Sequence, residues 1–395
     1  MSSESKTNAV EAQRIFVHEV SSASQDAERT GQAPVELPPQ SDIVLLDETS
    51  FEAWIAVVGS FLFLFPSFGF MQTIGTIQAY LEMNQLSAYS SRDIGWITGV
   101  FTALATLLGI QIGPLFDAYG PRVLGPVGCA IYIPVFFVLA ECSEYWHYMV
   151  VLGIWGGLGA AIISMVGVAV ISKWFVRRRG LAMGIALCGS SIGGVVLPMM
   201  LRSCLPRLGW TWAIRILAFI FTGVMMAGLA CLYRPTPQHD DAAAAEKLSV
   251  ARFALNFQAL RSWTFVFVTI GLFALEFATF GVFALLPTYA AAARFSTDTG
   301  FALISIANGT STLGRLLPGL AGDIYGHFNV SILMIIFTAV FTGVVLVPFG
   351  STSLGAVYTF AALWGFGSGS FMSLTPVCMG KTCDTKDYGR YFGKS

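Results

Sequence analysis

From residue 54 onward the chain alternates between long apolar runs and short polar joints. Runs of about 20 residues or more, enough to cross a bilayer as helices, lie at 54–80, 95–115, 122–141, 147–171, 181–203 and 212–233. A polar stretch from Arg234 to Arg261 follows, and then runs at 263–290, 300–320, 329–349 and 355–379. The pattern predicts ten spanning helices grouped six plus four. Residues 1–50 are rich in Ser, Glu, Gln and Pro and hold too little apolar surface to pack. The expected organisation is a disordered cytoplasmic tail (1–50), a six-helix bundle (51–233), a central cytoplasmic loop (234–262) and a shorter bundle (263–395). The tail contains no apolar signal region, so the first span is expected to act as an uncleaved targeting signal.

The two groups of runs share a repeat. Gly113-Pro-Leu-Phe-Asp117-Ala-Tyr-Gly120 returns as Gly319-Leu-Ala-Gly-Asp323-Ile-Tyr-Gly326, with the common frame G-x-x-x-D-x-Y-G, each copy closing an apolar run. Equivalent placement in two hydropathy blocks is the mark of a duplicated membrane bundle. Carboxylates beside lipid are costly, so a pair at matching points implies a mechanical role.

Composition supports a lipid setting. The chain of 395 residues is 55% hydrophobic and 11% charged, with a mean hydropathy of +0.69. A soluble domain carries about 25% charged residues. Thirty-two Phe and 41 Gly suit packed spanning helices, in which small residues allow close backbone approach. A net charge of −1 gives no case for nucleic acid. The seven cysteines (129, 142, 188, 204, 231, 378, 383) lie mostly in apolar runs and read as small hydrophobes. The class is an all-α polytopic membrane protein, with the lipid bilayer as its partner.

Lys and Arg near span ends set orientation. With the N-terminus in the cytoplasm, that side holds Arg122, Lys173, Arg177, Arg178, Arg179, Arg234, Lys247, Arg252 and Arg261, against Arg92, Arg202, Arg207 and Arg294 outside. Both copies of the repeat then face the cytoplasm. Asn308-Gly-Thr310 lies within a span and Asn329-Val-Ser331 on the cytoplasmic side, so neither is an expected glycosylation site.

No catalytic set emerges, and no cofactor or metal is implied. Gly189-Ser-Ser-Ile-Gly193 lacks the flanking strand of a nucleophile elbow, and Gly153-Ile-Trp-Gly-Gly-Leu-Gly159 lacks the βαβ surroundings of a dinucleotide loop. Both read as helix-packing faces. Asp117 and Asp323 are gating candidates, because a carboxylate at a helix end can meet the positive N-terminal pole of a helix from the other half. Simple termination of a helix is the alternative. Arg122 adds a basic group to the first copy, and Phe328 takes that place in the second. Nearer the membrane centre, Glu276 and Arg315 stand out, either as an internal pair or as ligand groups. A guanidinium can hold a carboxylate by two parallel hydrogen bonds. Asn308, Gln72, Gln111 and Tyr80 could line a polar cavity or satisfy local helix contacts.

G-x-x-x-D-x-Y-G-P-R resembles the loop after the second helix of the major facilitator superfamily, with its weaker repeat after the eighth. Trp174-Phe-Val-Arg-Arg-Arg179-Gly-Leu181-Ala-Met-Gly184-Ile-Ala186-Leu-Cys-Gly189-Ser190-Ser-Ile-Gly193 is similar to the fifth-helix signature of monocarboxylate-transporter-like permeases. Trp174 stands there for Tyr and Cys188 for Ala. Asp47-Glu-Thr-Ser-Phe-Glu-Ala-Trp54 is a looser match, and the polar tail with Phe/Gly-rich helices resembles the fungal branch. The resemblance implies that Asp323 meets the start of the fifth helix, with Arg178 and Arg179 as further gating candidates. It also implies that Arg315 meets an anionic substrate.

Two departures bear on mechanism. Ser311 stands where animal relatives carry a proton-coupling Asp, and about Gln72 stands where they carry a substrate-linked Lys; Gln72 can hydrogen-bond but brings no charge. The superfamily normally has twelve spans, so ten imply a major facilitator fold with an incomplete four-helix C-terminal half and no eleventh helix to face Asp117. The expectation is a secondary transporter working by alternating access. Its substrate would be a small organic anion or secondary metabolite, moved across the plasma membrane with or without a coupled proton. An efflux permease of a biosynthetic pathway, and a truncated non-transporting sensor or remnant, stand as alternatives.

Overall fold

In the computed structural model the described residues are 48, 50–175, 177–233, 263–295 and 297–380. Almost all of the polar tail, the stretch from Arg234 to Arg261 and the basic segment with Lys381, Lys386, Arg390 and Lys394 lie outside them. The helices are α1 (Phe51–Leu64), α2 (Phe68–Met83), α3 (Ser91–Leu107), α4 (Gly109–Leu139) and the short α5 (Tyr145–Tyr148). The last continues through wider turns at Met149–Gly156 into α6 (Gly157–Trp174). Then come α7 (Arg179–Leu232), α8 (Trp263–Ala292), α9 (Thr297–Tyr325) and α10 (His327–Phe341). Wider turns at Thr342–Leu346 carry α10 into α11 (Val347–Phe349), and α12 (Leu354–Gly380) completes the order. Six helical stretches among the described residues are long and apolar enough to cross a membrane.

Two of these helices cannot be single rods. α7 has 54 residues, about 80 Å at 1.5 Å per residue, far more than one bilayer needs. Its backbone leaves helical geometry at Gly209 (φ 74°, ψ 178°), which divides it into two arms. α4 turns in the same way at Gly120 (φ 69°, ψ 177°). The equivalent Gly326, between α9 and α10, has φ 94°. Gly120 and Gly326 are the final glycines of the sequence repeat, and their left-handed backbone, unfavourable for residues with a Cβ, explains why the repeat ends in Gly. Each copy therefore encodes a carboxylate three residues before a sharp reversal.

The first span is interrupted at 65–67. Ser67 Oγ donates to the carbonyl of Phe63 (2.9 Å), and Tyr132 from α4 donates its hydroxyl to the carbonyl of Pro66 (2.9 Å). Packing places α6 at the centre of the N-terminal half, buried along nearly its whole length. That position explains its Gly/Ala/Val composition: a Cβ on Gly159 would strike Tyr132, and one on Gly167 would meet Leu64. Beside it lies an aromatic cluster in which Phe136 meets Phe70 at 5.0 Å and Phe221 at 4.7 Å, both edge to face. In the C-terminal half α9 packs closely on α12. A Cβ on Gly365 or Gly369 would collide with the backbone of Ala307 or Ser311, and one on Gly314 with that of Phe366. The described residues of both halves belong to one unit, Asp47–Ser395.

Candidate functional site

The two halves meet where α9 runs antiparallel to the first arm of α7. Glycines bring the backbones together: a Cβ on Gly180 would strike the Gly319 carbonyl, and one on Gly184 the Arg315 carbonyl. Small residues at such a crossing allow van der Waals and polar contact that larger side chains would prevent. Gly189 and Gly193 face Phe61 and Phe65 instead, so the Gly/Ser face of this span is a packing surface shared between α9 and the first span.

Asp323 closes one end of the seam. Its carboxylate accepts from the backbone N–H of Gly180 and of Leu181, both at 2.8 Å. These are N–H groups of the first turn of α7, which have no carbonyl partner within the helix and carry the positive end of its dipole. Asp323 also bonds His327 Nε2 at 2.9 Å. Because a carboxylate only accepts, Nε2 carries the proton in that bond. His327 is 3% exposed, and its Nδ1 has no hydrogen-bond partner among the described residues.

The meeting of Asp323 with the start of the fifth helix, implied by the resemblance, is thus made by backbone amides. Arg179 turns inward, donating from Nη2 to the Ser172 carbonyl (2.8 Å) and from Nε to the Phe175 carbonyl (3.1 Å). It thereby ties the end of α6 to the start of α7. Arg178 contributes its backbone N–H, which donates to Glu48 at 3.0 Å, while the N–H of Arg177 donates to the same carboxylate at 2.7 Å. Four backbone N–H groups at the entry to α7 thus face two carboxylates, Glu48 from the segment before α1 and Asp323 from α9. The edge-to-face contact of Trp54 with Phe175 at 5.5 Å fixes the same turn to α1.

The first copy of the repeat is arranged otherwise. Asp117 is half-buried in α4 and makes an interaction of its own. Beside it, Lys173 Nζ sits 4.8 Å from the centre of the Phe116 ring, a cation–π contact. Arg122 follows Gly120 and Pro121 and is half-buried.

Above the latch, Arg315 is 2% exposed. Nη1 donates to the Leu187 carbonyl and to Ser190 Oγ, both on α7, and Nη2 lies 3.4 Å from Met372 Sδ. Its Nε has no hydrogen-bond partner among the described residues. Glu276 on α8 interacts electrostatically with Arg315, but no direct ion pair joins them among the described residues. Ser311 Oγ, one turn before Arg315, is 3.4 Å from Ser191 Oγ. Asn308 is buried on α9, while the Gln72 carboxamide on α2 lies against Gly194. Tyr80 stacks on Trp210 at 5.7 Å, and Gln111 is exposed. Arg315, Ser311 and Asn308 therefore share α9. Glu276 reaches Arg315 only electrostatically, and Gln72 contacts α7 within the N-terminal half.

Two participants had no role assigned from the sequence. His327 lies one place before Phe328, which holds in the second copy the position of Arg122 in the first. Glu48 falls inside the quoted pre-helix segment, but nothing in one sequence says that its carboxylate reaches residues 177 and 178.

The Major Facilitator Superfamily model matches residues 55–394. A riboflavin transporter, MCH5, of Saccharomyces cerevisiae is 32% identical over 368 residues, covering 89% of this chain and 70% of that protein. The agnestins efflux protein AgnL12 of Paecilomyces divaricatus is 31% identical over 386 residues, covering 94% and 86%. The aspyridones efflux protein apdF of Emericella nidulans is 32% identical over 344 residues, covering 86% and 67%. These relatives are transporters, not enzymes. Among solved structures, the human organic anion transporter MFSD10 superposes with a TM-score of 0.66 at 14% identity, over 87% of this chain and 89% of that one. The proton:xylose symporter XylE gives 0.51 at 15% identity, over 87% and 86%. With its helical fold, its duplicated G-x-x-x-D-x-Y-G and its match along nearly the whole apolar region, the chain belongs to the major facilitator superfamily.

Proposed function

We propose that this chain is a secondary transporter of the monocarboxylate-like group, moving a small organic anion or secondary metabolite across the plasma membrane by alternating access. The N-terminus and both repeat copies would face the cytoplasm. The observation that carries this reading is the Asp323 bond to the Gly180 and Leu181 amides. It joins the two halves at one end by a contact that rigid-body rocking can break and remake. The rocking bodies would be the bundle over 51–233 and the one beginning at 263. Arg315 would serve the anion and Glu276 a coupled proton.

Export of a pathway product is the second reading. It is favoured by two relatives named as efflux proteins of agnestins and aspyridones. The replacement of family charges by Ser311 and Gln72 also suits a larger, less charged cargo.

Flux of candidate organic acids in proteoliposomes, for the natural chain and Arg315→Ala, tests both readings. Substrate-dependent flux lost in the variant is expected. Absence of flux from correctly inserted natural protein sinks the transporter reading, and uptake without export sinks the second.

A further inference from the structure

The C-terminal half carries a surface cleft of about 360 Å³ between α9 and α10, with Phe366 of α12 in its lining. It lies on the side of α9 turned away from the seam. Arg315, Gly319 and Asp323 meet α7, whereas Leu317, Ala321 and Tyr325 line the cleft. The two sets are offset by two residues, about 200° around a helix. Leu317 and Leu333 are 56% and 64% exposed, and α10 belongs to a stretch long and apolar enough to cross a membrane, so the open side of the cleft faces lipid. Its polar lining residues both sit at one end: Tyr325 and Asn329 flank Gly326, where the chain reverses from α9 into α10. Asn329 Nδ2 is spent on the Tyr325 carbonyl at 3.1 Å, which leaves the carboxamide oxygen and the Tyr325 hydroxyl for a ligand. From there the lining is apolar through Ala321 and Leu333 to Leu317, about 12 Å along α9.

A ligand that fits is long and apolar, has one small polar end, and comes from the bilayer. Among the described residues no Lys, Arg or His lines the cleft, so a phosphate headgroup finds no side-chain countercharge there. A flexible acyl chain also loses more conformational freedom on being fixed than a rigid ring system does. Both arguments favour a neutral, rigid amphiphile. We propose that the cleft is a sterol site: the sterol hydroxyl is shared by Tyr325 and the Asn329 carboxamide oxygen, and the ring system lies along Ala321, Leu317 and Leu333. A sterol so placed bridges α9 and α10 across Gly326. Asp323 and His327 belong to the same reversal, so the bound sterol braces the carboxylate that meets the Gly180 and Leu181 amides. The site stands whether or not the chain transports.

The natural chain in phosphatidylcholine nanodiscs is photolabelled with a diazirine-bearing cholesterol, and the labelled peptides are mapped by mass spectrometry. Label should concentrate on the peptides of α9 and α10 that line the cleft. Excess cholesterol should reduce it several-fold, whereas epicholesterol, in which the hydroxyl is inverted, should compete weakly. Tyr325→Phe and Asn329→Leu should each blunt the difference between the two sterols, and Leu333→Trp should fill the cleft and remove the local label. All three positions are exposed, so the melting midpoint without sterol should stay that of the natural chain, which confirms that the variants fold. Label spread evenly over the lipid-facing helices overturns the site, as does equal competition by the two sterols or undiminished label in Leu333→Trp. A phospholipid retained on the purified chain and lost in Leu333→Trp, with no sterol label, gives the cleft to an acyl chain and overturns the sterol. Cholesterol should also slow hydrogen exchange at the Gly180 and Leu181 amides several-fold relative to epicholesterol, and unchanged exchange overturns the brace.

Discussion

Asp323 and His327 lie on either side of a sharp reversal at Gly326 and share a 2.9 Å hydrogen bond at the point where the two halves of the molecule touch. The imidazole does not cross the seam. It holds the carboxylate that does, so that both oxygens are aimed at the Gly180 and Leu181 amides.

Removing the imidazole should loosen the latch without abolishing it. A hydrogen bond to a charged group contributes about 1.5–3 kcal/mol. His327→Leu keeps the buried volume and loses the donor. Hydrogen exchange at the Gly180 and Leu181 amides should then quicken by about tenfold or more, one factor of ten for each 1.4 kcal/mol. Asp323→Asn should do at least as much, because it removes the charge facing the α7 dipole. Unchanged exchange in both variants would show that the amides are protected by helix packing alone.

Glycine contacts give a steric test of the same seam. A Cβ at Gly184 would collide with the Arg315 carbonyl, which is backbone and cannot swing aside, whereas Gly223 has open space around it. Gly184→Ala should prise α7 from α9 and lower thermal stability, at a cost of about 1–3 kcal/mol for overpacking. Gly223→Ala should be neutral or slightly stabilising, as a mid-helix glycine replaced by alanine gains about 0.5–1 kcal/mol. Melting curves in detergent compare the two, and equal midpoints would remove the close approach as a determinant.

Much of the fold was legible because lipid simplifies the code. An apolar run of bilayer length has few structures open to it other than a helix, so the helical class followed from spacing alone. The repeat marked Asp117 and Asp323 because two expensive carboxylates recur in one frame, and the structure adds that Gly120 and Gly326 end each frame with positive φ. What stayed hidden concerns side-chain direction. The start of the fifth helix read as the partner of Asp323, and its Gly180 and Leu181 amides take that place, but nothing in the chain said that Arg179 turns inward to the Ser172 and Phe175 carbonyls. Arg315 read as a group facing a cavity, while its position opposite Leu187 depends on how two helices cross. No pattern in one chain records that angle.

Glu48 supplies a prediction that sequence alone did not raise. Its carboxylate receives the Arg177 and Arg178 amides at 2.7 and 3.0 Å, an anion at the positive end of α7, where such a charge contributes about 0.3–1 kcal/mol and up to about 2 when partly buried. Glu48→Ala should speed exchange at these two amides and lower the melting midpoint. Glu48→Gln should recover part of the loss, since its carbonyl still accepts. Identical behaviour of the two variants would mean that the negative charge, and not the acceptor, holds the turn.

Glu276 separates proton coupling from simple facilitated movement. It is a half-buried carboxyl in the span Val266–Phe283, within electrostatic reach of Arg315 but not in direct contact with it. A carboxyl so placed can alternate between proton and guanidinium as the halves move, which a permanently paired one cannot. Glu276→Gln keeps its size and hydrogen bonding while fixing the neutral form. If Glu276 carries the proton, proteoliposomes with the natural chain should accumulate or expel substrate when a pH gradient is imposed. The Gln variant should still equilibrate substrate down its own gradient but ignore the pH gradient. Retained proton-driven accumulation in the variant would assign coupling to another group, and loss of both activities would place Glu276 in substrate binding.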